Sequence, residues 1–257
     1  MKIVASVEAR MGSSRLPGKV LAEVCGAPAL TRLLGRLRRA RLVDSIVLAT
    51  TDSPRDDALA DRAAREGVPC FRGSEEDVLA RGAGAHRSLG SDLVVEVTGD
   101  TPLLDPEVID WGVGTFLAND CDVVSNVRNQ TFPQGIDIHV FRLAALEEVE
   151  RTVSDPAVRE HVSLYFYEHP ERYRVFHLVA PARWRAPELR LLLDYPEDLA
   201  FLRELYARLA PAHGDRFGLD EILALLRREP GLASINRACE EKPVRPAAAP
   251  FQGLPHD

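Results

Sequence analysis

The chain has 257 residues, 46% hydrophobic and 28% charged, with a formal net charge of −7. That is the composition of an ordinary globular chain of one large or two small domains. It argues against general nucleic-acid binding, and no apolar run reaches membrane-spanning length. With no signal-peptide pattern ahead of the first strand, the expected location is the cytoplasm.

Residues 2–7, KIVASV, read as a first strand. The next stretch is MGSSRLPGK, from Met11 to Lys19. It is not a P-loop: five residues separate Gly12 from Gly18, and Val20 stands where that motif needs a hydroxyl. Pro17 also lacks the N–H a phosphate cradle would use. No G-x-G-x-x-G dinucleotide fingerprint is present either. What remains is a cationic loop: Arg10, Arg15 and Lys19, with Ser13 and Ser14 between them. Such side chains hold phosphates by charge and by bidentate contacts. The plain alternative is a basic surface turn. The position of the loop, at the C-terminal end of a strand where open α/β sheets bind ligands, favours phosphate.

Farther along, residues 27–40 carry Leu30, Leu33, Leu34 and Leu37 on one helical face. Residues 45–50 read as a buried strand, Ser53-Pro54 as a helix start, and Gly67 as its stop. Residues 68–71 read as a strand, Ser74 as the cap of a helix over 75–89, and residues 93–97 as a central strand. Asp105-Pro106 opens another helix to about Leu117. The alternation predicts a doubly wound α/β fold. The second half is less regular, with strands at 122–125, 137–141, 173–179 and 189–193, and helices at 143–152, 156–168 and 196–209. The expectation is a mixed, mostly parallel sheet flanked by helices, with an inserted second-half arm. One domain over 1–240 would be followed by a Pro/Ala-rich tail, 241–257. Cys25, Cys70, Cys121 and Cys239 have no zinc-type spacing and read as small buried hydrophobes. Trp111 and Trp184 read as packing.

Asp100 and Asp194 each follow a predicted strand directly. Taken singly, each could cap a turn or helix. Together, facing the cationic loop, they could hold Mg²⁺ through oxygen ligands. Arg72 and Ser74 could approach a nucleotide base, although Ser74 also fits as a helix cap.

Five segments carry a family resemblance: EARMGSSRLPGKVL (8–21), VTGDTPLLDP (97–106), FPQGIDIHVF (132–141), REHVSLYFYEHPERY (159–173) and LRLLLDYPEDL (189–199). The chain resembles the cytidylyltransferases of the spore-coat polysaccharide biosynthesis type. These are relatives of the synthetases that make CMP-activated 3-deoxy-manno-octulosonate and sialic acids. The resemblance implies a Rossmann-like fold of the nucleotide-diphospho-sugar transferase type. It also implies CTP-dependent transfer of CMP onto the hydroxyl of an acidic sugar, with pyrophosphate leaving. It assigns Arg10, Met11, Gly12, Ser13, Arg15 and Lys19 to the triphosphate loop, and Arg15, Lys19 and Asp100 to catalysis. Asp100 and Asp194 match the magnesium carboxylates. Gln134, Asp137, Arg159 and His161 fall in the acceptor motifs. Two positions depart from the pattern: Glu8 replaces the usual Gln, and Gln134 replaces a common basic residue. A homodimer is implied through the arm, which carries Phe132, Phe141, Tyr165, Phe166 and Tyr167. Two other readings are a glycosyltransferase, whose D-x-D motif is absent, and a non-catalytic nucleotide binder.

Overall fold

The computed structural model describes residues 1–240. The expected tail, 241–257, lies outside the described residues. The elements in chain order are β1 (Ile3–Glu8), β2 (Glu23–Val24), β3 (Ala27–Pro28), α1 (Ala29–Leu37), β4 (Ser45–Thr51), α2 (Asp57–Glu66), β5 (Cys70–Gly73), α3 (Val78–Leu89), β6 (Leu93–Thr98) and α4 (Pro106–Ala118). They continue with β7 (Val123–Ser125), β8 (His139–Arg142), α5 (Leu143–Thr152), α6 (Pro156–Glu160), α7 (Leu164–Glu168), β9 (Val175–His177), α8 (Pro196–His213) and α9 (Leu219–Arg228).

Seven strands form one sheet in the order β5-β4-β1-β6-β8-β7-β9. All neighbours are parallel except β8, which runs antiparallel to both β6 and β7. The expected mixed, mostly parallel sheet is present. Alternation along β1 decides which residues meet which layer. Ala5 and Val7 pack into a core with α1, α2, α4, α8 and α9. Val4 and Ser6 face the other side, where α3 and α5 to α7 cover the sheet. Leu30, Leu33, Leu34 and Leu37 are all fully buried, each contributing about 2 kcal/mol by leaving water.

Several predicted elements differ. The first helix starts at Ala29, because Ala27–Pro28 pairs with Glu23–Val24 as a small hairpin. The helix expected over 156–168 breaks into α6 and α7 at His161. The run 189–193 is not a strand: its pairing is one isolated bridge, Gln134 to Arg190. Ser74 does not cap α3. Asp77 does, accepting from the Ala80 N–H at 2.9 Å, while Ser74 Oγ accepts from the Asp77 N–H. Cys121 is buried, but Cys25 and Cys70 are exposed, and all four cysteines are free. Phe132, Phe141 and Phe166 fill the chain's own core, so the aromatic content of the second half does not point to a dimer. Among the described residues, no helix is long and apolar enough to cross a membrane.

Candidate active site

The loop after β1 is built around one carbonyl. Met11 O accepts from Ser13 N–H at 2.9 Å and from Gly18 N–H at 3.1 Å. Met11 N–H is anchored to Asp56 Oδ1 at 2.7 Å. Gly18 sits at φ +70°, in the left-handed region that a side chain disfavours. This turn starts a 3₁₀ segment, Lys19–Leu21, and sends Lys19 back over the strand ends. Met11 is therefore the pivot of the loop, with its side chain packed against the core.

Asp100 arrives from β6. Gly99 N–H donates to Glu8 O at 2.8 Å, and a Cβ on Gly99 would lie 2.9 Å from Ala9 Cβ. Only glycine lets the two strand ends approach this closely. Asp194 arrives from the segment before α8. It does not cap that helix, because Asp198 does so instead. Asp198 Oδ2 accepts from the backbone N–H groups of Asp194 and Tyr195, both at 2.9 Å. Arg190 holds Asp198 through Nε–Oδ1 at 2.9 Å and Nη2–Oδ2 at 3.0 Å. The carboxylate of Asp194 is thus left for the cleft.

These pieces converge. Lys19 Nζ donates to Asp100 Oδ2 at 2.7 Å and to Asp194 Oδ1 at 2.8 Å. Arg15 makes a salt bridge to Asp194 from the other side and lies over the Tyr195 ring. Burial alone would push Asp194 up, but its bonds to Lys19 and Arg15 outweigh this and hold it below the usual carboxylate range. Burial likewise works against the Lys19 ammonium, but Asp100 and Asp194 overcome it and raise its pKa. The four groups form a charge-balanced cluster on the floor of a cleft of about 340 Å³. Arg10, Gly12, Ser13, Arg15, Lys19, Asp100, His161 and Asp194 all line it.

Other expected site residues are placed elsewhere. Arg72 is spent on Thr51 O, Ser53 O and the Asp57 carboxylate, so it braces the edge of the sheet. Ser74 caps the turn before α3. Arg159 turns away from the cleft: Nη1 donates to Glu150 O at 2.8 Å and Nη2 to Asp77 at 2.6 Å. Gln134 pairs its backbone with Leu189 and Leu191 and borders a separate small cavity beside Asn236. Asp137 lies near the buried Tyr167 phenol. Arg72, Ser74, Gln134 and Arg159 therefore do not share the cleft with the nucleotide loop.

Sequence reasoning missed Val78, Arg81, Thr98 and Glu160, which line the cleft, and left the place of Glu8 open. The available signal was the stretch VLARGAGAH, whose small residues mark a helix face pressed close to the sheet. Behind the cleft runs a polar row, buried at Ser6, Glu96 and Ser125 and half-buried at His139 and His177. Strand register places Ser6 beside Glu96, Glu96 beside His139, His139 beside Ser125, and Ser125 beside His177. Tyr167 donates to Ser125 Oγ at 2.7 Å and shares a short hydrogen bond with His139 Nδ1. Burial holds His139 down to about 4, so it is neutral at pH 7.

The family described as Cytidylyltransferase matches residues 4–225. The spore coat polysaccharide biosynthesis protein SpsF of Bacillus subtilis is 35% identical over 243 residues, covering 92% of this chain and 98% of its own length. A solved cytidylyltransferase from Leptospira borgpetersenii superposes with a TM-score of 0.85 at 30% identity, covering 91% of this chain and 97% of its own. A CMP:2-keto-3-deoxy-manno-octonic acid synthetase, solved with CTP, shares the fold at a TM-score of 0.61 and 19% identity, over 81% of this chain and 99% of its own.

Proposed function

This chain belongs to the cytidylyltransferase family, and on that premise we propose that it transfers CMP from CTP to the hydroxyl of an acidic sugar for surface polysaccharide or glycoconjugate synthesis. One observation carries this reading. Two carboxylates from distant parts of the chain, Asp100 and Asp194, meet on the ammonium of Lys19, beside Arg15.

The attacking hydroxyl would approach the α-phosphate in line, with pyrophosphate leaving; such chemistry is mostly positioning and charge stabilisation. Arg15 and Lys19 would take the charge of the leaving phosphates, and Arg10 and Ser13 would hold the same chain of phosphates from the loop. Among the described residues no group of three or more His, Cys, Asp or Glu converges on a metal position. A pair of carboxylates completed by phosphate and water oxygens suits a hard cation such as Mg²⁺. Asp100 and Asp194 would hold it, and when bound it lowers the pKa of the attacking hydroxyl and screens the α-phosphate. Lys19, now between the two acids, would turn to the phosphates.

With Arg159 committed to Asp77, the carboxylate of an acidic acceptor would meet Arg10 and His161. Arg10 Nη1 donates to Glu75 O at 3.2 Å, and its Nη2 lies 3.9 Å from Glu160. A cytoplasmic homodimer belongs to the same proposal. Its support is the edge strand β9, where Phe176 is 41% exposed, with Val179 just beyond it at 45%. Light scattering at micromolar concentration checks it, and a monomeric mass would contradict it.

The test of function is pyrophosphate release with each of the four nucleoside triphosphates against a panel of 2-keto sugar acids and aminosugar acids. CTP with one acid is expected to give turnover. Equal rates with all four nucleotides would contradict cytidylyl transfer.

A further inference from the structure

Glu8 closes β1 and lines the cleft, yet the chemistry above does not use it. Its Oε1 lies 2.9 Å from the point a Cβ on Gly82 would occupy, so a glycine at that position of α3 leaves the acid its space. Beside it stands Arg81, 3% exposed and also lining the cleft. Arg81 Nη1 donates to Ser74 O at 2.5 Å, while its Nε is buried and has no partner among the described residues. A negative group next to the triphosphate would oppose binding, and the phosphate end already has Arg15 and Lys19. What remains for Glu8 and Arg81 is the uncharged part of the nucleotide.

The chemistry of the pair is directional. A carboxylate only accepts hydrogen bonds and a guanidinium only donates them. Cytosine presents an amino donor at N4 and acceptors at N3 and O2. Uracil reverses two of these, with an acceptor at O4 and a donor at N3, and so opposes both protein groups. We propose that Glu8 and Arg81 read the cytosine edge, Glu8 accepting from the N4 amino group and Arg81 donating to the N3/O2 side, and so select CTP over UTP. The assignment rests on the cytidylyl-transfer reading.

A pH signature goes with it. Burial pushes Glu8 up to about 7, against the pull of Arg81. The charged groups facing it are Arg81 from α3 and Glu96 from β6; Arg10, Glu160 and His161 line the same cleft. Above pH 7 the carboxylate can only accept. Below it, the protonated acid can donate to O4 of uracil, and the preference for CTP narrows.

The experiment is calorimetric binding of CTP, UTP and 2′-deoxy-CTP to wild type, Glu8→Gln and Glu8→Asp at pH 8 and pH 6. The Gln amide has the shape of the acid but both donates and accepts. Glu8→Gln is expected to narrow the preference for CTP over UTP by about tenfold or more, to lose the pH dependence, and to leave the ratio of CTP to 2′-deoxy-CTP unchanged. Glu8→Asp keeps the charge but retracts it, and is expected to weaken CTP while still rejecting UTP. If Glu8→Gln keeps the wild-type preference, the assignment falls while the enzyme reading stands. If the variant changes only the 2′-deoxy ratio, Glu8 reads the ribose and the assignment falls too. A wild-type chain that binds no nucleotide overturns both.

Discussion

The wall of the cleft and the second-half segments beyond it use similar side chains in opposite ways. On the β1–β6 wall, Arg15, Lys19, Asp100 and Asp194 find their partners inside the cleft, across a site where a ligand could replace them. In the second half, Arg159 reaches back to Asp77 and Glu150, and Tyr167 to Ser125 and His139. Those groups are spent on the fold. An arginine in a promising motif is thus a ligand or a brace according to where its partner lies, and its identity alone does not tell which.

The largest expected effect breaks the wall of the cleft. Lys19→Met removes the cation between the two acids, and kcat is expected to fall by about 10²–10³, as when a transition-state charge partner is lost. Far-UV circular dichroism should stay as in wild type. Activity near wild type would mean that the cluster is only a brace.

The next effect belongs to the scaffold. His86 on α3 is fully buried, with Nδ1 at 3.0 Å from Ser91 Oγ. Burial holds it down to about 4 from an ordinary 6.5. The neutral form is the one the fold accepts, so its stability is complete above about 6.5 and is lost as pH falls toward 4. Urea unfolding at pH 7 and pH 4.5 should show a loss on the order of 2–3 kcal/mol from this group. His86→Gln should lessen that loss; an unchanged pH slope would show that His86 is not the group responsible.

Arg159→Ala sharpens the comparison at smaller scale. Its ion pair is partly exposed, 24% at Arg159 and 26% at Asp77, so the expected loss is about 1 kcal/mol of stability. The KM for the acceptor is expected to stay within about twofold of wild type. A tenfold rise would move Arg159 back into the acceptor site.

How much of this was legible follows from where partners come from. β1, β4 and β6 show in the sequence as short apolar runs, and Asp105-Pro106 and Gly67 mark helix ends that the structure keeps. Asp100 was legible because it follows β6 closely, but Lys19 reaches it from the loop after β1 and Asp194 from an extended connector before α8. The run 189–193 misled because burial on both sides looks the same in a strand and in an extended connector. Here Leu191 N–H goes to Gln134 O and Leu193 N–H to Asp100 O instead of to a ladder. α9 was missed despite its LDEILALLRR pattern. Arg72 and Arg159 were misplaced because Asp57 and Asp77, which capture them, are near only after folding.

The central claim is that Asp100 and Asp194 are functional carboxylates and not helix caps. Asn has the shape of Asp, lacks its charge, and caps helices equally well. Pyrophosphate release by Asp100→Asn and Asp194→Asn, with melting temperature recorded alongside, therefore separates the two roles. Turnover lost in both variants, with melting temperatures close to wild type, is the predicted result; turnover near wild type in either one would contradict the account.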